Sequence, residues 1–165
     1  MSGVRIGPFD LDAAAHVARH MRDFDRVELA AMGAPDDPAE AAWRFSGGPV
    51  SFIAYRGDAP IALVSGVEGA PGAFAAGLIA TDRWPEVGGA VRRHLKAVVF
   101  PALAARPAGL RRVEARALAA HTQSVAWMKS VGFVHECDLI AYGLGGQDCV
   151  QMAMRQGEID HVLWR

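Results

Sequence analysis

The chain has 165 residues, of which 52% are hydrophobic and 21% are charged, and its formal net charge at pH 7 is -1. This balance excludes a disordered polyelectrolyte, and it lacks the basic footprint of a nucleic-acid-binding protein, so nucleic acid is not an expected partner. The length fits one domain of ordinary size, and we expect residues 1–155 to form that domain and residues 156–165 to form a C-terminal tail.

Several expectations follow from what the sequence lacks. The N-terminus has no apolar signal core, and no apolar run approaches the roughly 18 residues that a membrane-spanning helix needs. The two cysteines, Cys137 and Cys149, are expected to stay reduced, because disulfides are rare in reducing compartments. We therefore expect a cytoplasmic protein that has no membrane partner, and no metal site is expected.

Helical patterns dominate the first part of the chain. Residues 10–20 have an acidic start and an apolar stripe at helical spacing, residues 22–32 show a second helical pattern, and a short third helix is predicted to begin at Asp37. In the second helix, the spacing predicts a buried face that carries Phe24, Val27 and Ala31. The opposite, exposed face is predicted to carry Arg22, Asp23, Asp25 and Arg26.

Glu28 lies on this second helix and has two interpretations. In the first, the acids and bases of the helix form solvated pairs at three- and four-residue spacing, each contributing a few tenths of a kcal/mol. In the second, the helix borders a cleft and Glu28 is the general base that deprotonates an amine substrate. The sequence leaves both open.

Three β-rich segments follow, at residues 50–55, 59–67 and 73–80, and the turns between them predict an antiparallel meander. A long helix is then predicted over residues 82–104, because apolar residues recur at helical spacing behind Pro85. A local basic concentration lies on this helix and just after it, and it is either a solvated surface or an attractor of cofactor phosphates. Its members are Arg92, Arg93, Lys96, Arg106, Arg111 and Arg112.

The last part of the chain predicts strands at residues 111–118, 133–142 and 147–154. A short amphipathic helix precedes the second of these strands, with His121 or Thr122 at its N-cap and Gly132 where a left-handed residue ends a helix. The remaining residues contain Val162, Leu163 and Trp164, an apolar terminus that either docks on its own domain or binds a partner.

This order of elements resembles the GNAT family of acyl-CoA-dependent N-acyltransferases. The resemblance implies an α+β fold with α/β/α layers, in which about four to five helices flank a mixed, mostly antiparallel sheet of about six to seven strands. The stretch from His121 to Phe133 is similar to the family pattern Asn-x-x-Ala-x-x-x-Tyr-x-x-x-Gly-Phe, with Gly132 and Phe133 matching, Ser124 in the alanine position and Met128 in the tyrosine position.

The same resemblance implies acetyl-CoA as the cofactor. In the family, a loop of the form Arg/Gln-x-x-Gly-x-Gly/Ala and the following helix N-terminus hold the pyrophosphate. Arg83 and Gly88 match this loop, and Gly89 follows. The resemblance also implies contacts from the strand before the loop and from the later helix, so the implied cofactor-binding residues are Leu78, Ile79, Ala80, Arg83, Gly88, Gly89 and Ser124.

Three departures from the family pattern bear on activity. Glu86 replaces the first loop glycine, and its carboxylate opposes a diphosphate unless it turns away. Pro85 removes one amide donor from the loop. Met128 cannot donate a proton as the family's tyrosine does to the leaving thiolate, which leaves His121 or water as the substitute; a histidine at a helix cap also has a purely structural interpretation.

Within the family, the chain looks like small acetyltransferase-like proteins of tailed phages, related to podophage internal virion protein A. The similarity lies in residues 21–28, the aberrant loop with its tryptophan, and the short helix before Gly132. Two hypotheses follow. One is an N-acetyltransferase that uses Glu28 and His121 on a small-molecule or protein amine in the host cytoplasm. The other is a non-catalytic assembly or adaptor protein that contacts phage structural proteins and is associated with the virion.

Overall fold

A computed structural model describes residues 3–46 and 48–163. Within these residues lie seven β-strands, hydrogen-bonded side by side in one order. The strands are β1 Val4–Pro8, β2 Val50–Arg56, β3 Ala59–Ala70, β4 Ala73–Ala80, β5 Arg112–Leu118, β6 Val134–Leu139 and β7 Cys149–Arg155. Their order is β1-β2-β3-β4-β5-β7-β6.

The helices of the described residues complete the architecture. They are α1 Leu11–Arg19, α2 Asp23–Ala31, α3 Pro38–Trp43, α4 Gly88–His94, α5 Phe100–Ala104, α6 Thr122–Val131 and α7 Gln156–Leu163. Strand pairs β1–β2, β2–β3, β5–β7 and β6–β7 are antiparallel, whereas β4 and β5 are parallel. The predicted α+β class with a mixed, mostly antiparallel sheet is therefore confirmed.

The chain divides into two compact units. The first consists of Met1–Val67 with Gly77–Val91, and the second of Glu68–Ala76 with Arg92–Arg165. The single domain expected from the sequence length stays a prediction.

The core of the first unit is built on α1. Asp10 caps this helix by accepting a hydrogen bond from the Ala13 amide at 2.8 Å, and the helix packs against α3. Alanine at the contact positions lets helix backbones approach closely. The cluster contains Ala14, Val17, Ala18, Met21, Ala42, Ile53, Tyr55, Leu63 and Ile79.

β1 is an element that the sequence analysis did not predict. It lies at the edge of the sheet and pairs with β2 from Val4 to Pro8. A segment that contains Gly7 and Pro8 has a weak strand signal, but proline is tolerated in an edge strand because the missing amide needs no partner there.

The second unit is organised by β7, whose residues from Cys149 to Met154 are all buried. α7 packs against this strand and buries Ile159, which is 1% exposed. Most of the segment expected to be a tail is thus helical, and it docks on its own unit. Trp164, part of the predicted apolar terminus, lies outside the described residues.

The long helix predicted over residues 82–104 differs from the expectation at both its start and its middle. It opens with a separate 3-10 turn, Trp84–Glu86, and its regular part begins at Gly88. A π-helical turn, Leu95–Val99, separates α4 from α5. Pro101 explains the turn, because its missing N–H and its ring cannot fit the preceding turn of a regular helix.

No helix in the described part of the chain is long and apolar enough to span a membrane.

Candidate functional site

The end of β4 is fixed by the segment that joins α1 to α2. Met21 forms an antiparallel bridge with Thr81, and the Arg22 amide donates to the Ala80 carbonyl at 2.9 Å. The Asp25 carboxylate accepts the Ala80 amide at 2.8 Å and is held by Arg22 through two hydrogen bonds of 3.0 and 2.8 Å. Asp25 is 4% exposed, so this is a buried, fully bonded carboxylate.

The contacts of Met21, Arg22 and Asp25 with the end of β4 form a clamp. This clamp determines which backbone groups of the predicted strand residues are free to bind a ligand. The N–H and C=O of Ala80 are both bonded within the chain, to Asp25 and Arg22. Thr81 donates to the Ile61 carbonyl of β3 at 2.9 Å. Because successive strand residues point their polar groups to opposite edges, the groups of Leu78 point to the same edge as those of Ala80, away from β3. The Ile79 side chain is 1% exposed and belongs to the core.

The loop after β4 is a tight, internally bonded turn. The Trp84 amide donates to the Thr81 carbonyl at 2.9 Å, and the Val87 amide donates to the Trp84 carbonyl at 3.0 Å. The Trp84 indole packs on Gly88, where an added Cβ would lie 3.0 Å from Cε2 and Cζ2. A side chain at Gly88 would therefore force the Trp84 indole to shift by a few tenths of an ångström. Gly89 follows in the first turn of α4, where helix amides lack intrahelical acceptors.

Glu86 is turned into an ion pair. Its carboxylate accepts hydrogen bonds from Arg83 Nε at 2.7 Å and Nη2 at 2.9 Å, and Arg56 Nε lies 3.6 Å away. The hydrogen bond from Arg83 is the main cause that lowers the pKa of Glu86. Two guanidinium groups thus face one carboxylate, and the loop keeps a positive excess despite the acid that replaces its glycine.

The buried and exposed faces of α2 differ from those predicted. Phe24 and Val27, predicted to be buried, are 49% and 46% exposed, whereas Asp25, predicted to be exposed, is buried. The reason is the pairing of Asp25 with Arg22 and Ala80, which outweighs the apolar pattern of a short helix. Glu28 lies half-buried on this helix, and its role as a base stays a prediction.

In the second unit, the structure confirms the helix predicted before Gly132. His121 stands at the N-cap of α6, and its side chain is 3% exposed. Ser124 is half-buried in the first turn, and Met128 is buried. The helix ends in a Schellman motif at Gly132, whose φ is 130°, and the Phe133 amide donates to the Met128 carbonyl at 3.1 Å. The roles of His121 and Ser124 stay predictions.

The arginines of the predicted basic concentration fall into two groups, those that bond to acidic or carbonyl groups of the described residues and those that do not. Arg106 pairs with Glu68 at 2.7 Å, Arg111 donates to the Pro71 carbonyl, and Arg112 pairs with Glu114 and Glu136. These three side chains stabilise the second unit. Arg92 and Arg93 are exposed on α4 and have no ion pair with a described residue.

An open cavity of about 450 Å³ lies within the first unit, beside the same loop. His16 and His20 of α1 form one side, with ring centroids 4.3 Å apart and a 34° angle between the ring planes. Asp82 and Arg83 line it as well. Burial is the main cause that lowers the pKa of His16, and the charges of His20 and Arg19 act in the same direction.

Two site residues were missed by the sequence analysis. Asp25 is predicted on the exposed face of the second helix, and the sequence analysis assigns no role to Arg56. The contact of Asp25 with Ala80 spans 55 positions in the chain, so no local pattern could have revealed it. The sequence offers one weak signal for Arg56, which is a long cationic side chain directly after the buried residues of β2.

Comparisons with known proteins support the architecture. No family model and no curated protein sequence matches the chain. Among solved structures, it is similar to spermidine N-acetyltransferase from Vibrio cholerae in complex with CoA and spermine, with a TM-score of 0.71 at 12% identity, covering 96% of this chain and 99% of that one.

Two further solved structures give the same result. A GNAT-family acetyltransferase from Streptococcus pneumoniae has a TM-score of 0.67 at 12% identity, covering 92% of this chain and 98% of that one. A Salmonella typhimurium protein solved with its cofactor acetyl-CoA has a TM-score of 0.67 at 15% identity, covering 93% and 94%. None of these three is a phage protein, and they lend no support to the phage branch. At such identities the likeness concerns the fold alone: the chain has the GNAT fold.

Proposed function

We propose that the chain is an acyl-CoA-dependent N-acyltransferase that transfers an acetyl group to an amine. One observation carries the proposal: on a GNAT fold, the loop between β4 and α4 presents Arg83 and Glu86, and Arg56 at the end of β2 lies beside them, so that two guanidinium groups face the one carboxylate. A diphosphate needs compensating positive charge and helix-terminal amides, and this loop supplies both in the first unit.

The chain's residues fit acetyl-CoA at this loop. Arg83 and Arg56 would neutralise the phosphates, and the first-turn amide of Gly89 would donate to them. The polar groups of Leu78 lie on the β4 edge that faces away from β3, where they can bond an extended amide chain. Ala80 does not share this capacity, since its own groups are bonded to Asp25 and Arg22.

When bound, acetyl-CoA supplies an acetyl thioester, which is an activated acyl donor. The chain's own part is to deprotonate the amine and to return a proton to the sulfur. Among the acids of α2, Asp25 is committed to its buried bonds, and Glu28 is the proposed base. His121 is the proposed proton donor, since Met128 carries no transferable proton.

The proposed acceptor is a primary amine, either of a small polyamine or of a protein. The neighbour from Vibrio cholerae is named for spermidine and was solved with spermine, which makes a polyamine the first acceptor to test.

A second candidate function is favoured by a specific observation. Ala80 has both polar groups bonded within the chain, and Met128 is buried in place of a proton donor. These features suit a scaffold that assembles with other proteins and performs no transfer. A more specific version of this proposal is that the adaptor is a phage protein associated with the virion. A gene position among virion structural genes would support it, and a position elsewhere would count against it.

Calorimetric titration with acetyl-CoA tests the first proposal. We expect binding that Arg83→Ala weakens by on the order of 10-fold, because one charge-assisted phosphate contact is lost. Arg155→Ala is the matched control: it removes another exposed ion pair at three-residue spacing, with Glu158, and should leave binding unchanged. Absence of binding at millimolar acetyl-CoA would contradict the proposal and favour the adaptor.

A turnover assay separates the two functions. Thiol release from acetyl-CoA in the presence of spermidine should depend on the amine and should fall by at least roughly 100-fold in Glu28→Gln, the range expected for loss of a general base. Turnover that persists in this variant would remove Glu28 from the mechanism, and turnover of any amine would exclude the non-catalytic adaptor.

A further inference from the structure

His16 of α1 and His20, the C-cap residue of this helix, form a pair that the proposed transferase chemistry does not use. His16 and His20 are four residues apart and exposed, so both imidazoles project from one face of the helix. Their ring centroids lie 4.3 Å apart. Two histidines at this spacing on a helix are a recurrent bidentate arrangement for a transition metal ion.

The orientation of the second ring is fixed by a hydrogen bond. His20 Nδ1 lies 2.9 Å from the His16 carbonyl oxygen. A carbonyl oxygen only accepts, so Nδ1 carries the proton and Nε2 of the neutral ring keeps its lone pair. Metal-ligating histidines commonly donate their other ring nitrogen to a carbonyl in this way, which sets the tautomer and the direction of the ligating atom.

The pair opens into the cavity of about 450 Å³, whose lining also includes Asp82. Within the described part of the chain, neither the His16 ring nor the Asp82 carboxylate has a hydrogen bond or an ion pair. The His16 ring, Nε2 of His20 and the Asp82 carboxylate therefore line one solvent-accessible space, and none of them forms a hydrogen bond with a described residue.

We propose that His16 and His20 anchor a divalent transition cation, with Asp82 as a weaker third ligand. Imidazole nitrogen suits Zn²⁺, Ni²⁺ and Cu²⁺, whereas Mg²⁺ and Ca²⁺ prefer oxygen donors. The histidine pair is the anchor because, among described residues, Asp82 does not join the two rings in a cluster whose ligand atoms all lie within 4.8 Å. Its carboxylate contributes by rotation or through a bridging water.

The neighbouring guanidinium does not prevent cation binding. Arg83 also lines the cavity, but it forms two hydrogen bonds with Glu86, at 2.7 and 2.9 Å. Its charge is thereby compensated within the loop. The site lies beside the loop residues 81–83.

Calorimetry with NiCl₂ and ZnCl₂ on the full, untagged chain tests this site. A Cys137→Ser background removes the exposed thiol, a competing ligand. We expect one cation per chain, with affinity reduced on the order of 10- to 100-fold in His16→Gln or His20→Gln and by a smaller factor in Asp82→Asn. His161→Gln is the control, because this exposed histidine on α7 lies outside the cavity, and it should leave binding unchanged.

A second readout distinguishes site loss from misfolding. Cation binding to the folded state should raise the melting temperature of the background chain, and the His16→Gln/His20→Gln double variant should melt normally without metal but show no rise with it. Undiminished binding or an undiminished rise in the double variant would overturn the proposal, as would absence of binding in the background chain.

Discussion

At the scale of single residues, Asp25 is the side chain on which the end of β4 depends. It is 4% exposed, and its carboxylate accepts three hydrogen bonds, two from Arg22 and one from the Ala80 amide. We expect Asp25→Ala to lower the free energy of unfolding by about 3 kcal/mol, because it leaves a largely buried guanidinium and a buried amide unpaired. Urea unfolding followed by circular dichroism measures this change.

Asp23→Ala is the matched control, since this exposed acid lies in the same helix turn. It should change the free energy of unfolding by less than about 0.5 kcal/mol. The double variant Arg22→Ala/Asp25→Ala should be less destabilised than the sum of the single variants, because it removes both partners of the pair. Additive effects, or equal effects of Asp23→Ala and Asp25→Ala, would show that the clamp does not stabilise the fold.

Glu86 governs the charge of the phosphate loop in the proposed transferase. Its carboxylate holds Arg83 and lies near Arg56. We expect Glu86→Gln to raise the affinity for acetyl-CoA several-fold, because the variant removes a negative charge near the diphosphate and releases a guanidinium. Titration at low and high salt measures this, and the gain should shrink at high salt.

Glu158→Gln is the control for Glu86→Gln, because Glu158 forms the same kind of exposed pair with Arg155 in the second unit. An unchanged or reduced affinity in Glu86→Gln would mean that the carboxylate positions Arg83 for binding. The sequence showed that an acid replaces a glycine here, but not its direction. That direction is set by two hydrogen bonds from Arg83, and it also brings the carboxylate within 3.6 Å of Arg56, which β2 supplies from a distant part of the chain.

At the scale of elements, the α6 helix shows what local sequence signals can predict. Its predicted end at Gly132 is confirmed because the Schellman motif is encoded by adjacent residues. We expect Gly132→Ala to destabilise the second unit by more than the ~1–2 kcal/mol that a left-handed backbone costs an L residue. An added Cβ would lie 2.6 Å from Val162 Cγ2 and 3.1 Å from Met154 Sδ, so the Val162 side chain or α7 itself must also shift.

Gly146→Ala is the matched comparison for this substitution. Its φ is 77°, and an added Cβ meets no atom within 4 Å, so it carries the backbone cost alone. Thermal unfolding of both variants measures the difference. Equal losses of stability would show that the packing of α7 against Gly132 contributes little.

Elements without such local signals were harder to predict. β1 is short, contains Gly7 and Pro8, and exists because β2 offers it a partner about fifty positions later. The π-helical turn arises from Pro101, whose effect on an amphipathic pattern is invisible to periodicity. The predicted orientation of α2 was wrong because a nine-residue helix has few apolar positions. Their burial does not outweigh one buried ion pair.

At the scale of the whole molecule, the stability of the chain should depend on pH in two steps. Burial lowers the pKa of His16 and of His94 from the usual 6.5. A histidine with a lowered pKa binds its proton more weakly in the folded state, so its neutral form contributes stability above about pH 6.5 that is lost as the pH falls. We therefore expect the melting temperature to decline first below about pH 6.5.

A second decline should begin near the usual carboxyl pKa. Hydrogen bonds from a backbone amide to Glu68 and from Arg112 to Glu136 are the main causes that lower the pKa of each from 4.5. These carboxylates stabilise the fold when ionised, so their contribution is present above about pH 4.5 and is lost below it. Both steps concern differences between folded and unfolded chains, and neither requires a ligand.

Melting curves between pH 8 and pH 3, recorded with a chelator so that no metal ion occupies the histidine pair, measure both steps. The double variant His16→Gln/His94→Gln should flatten the decline between about pH 6.5 and pH 5 and leave the lower step intact, because only the histidine contribution is removed. His161→Gln, on the exposed side of α7, is the control and should follow the unmodified chain. An unchanged upper decline in the double variant would assign the loss to other groups, and a melting temperature that rises on acidification would contradict the sign of both shifts.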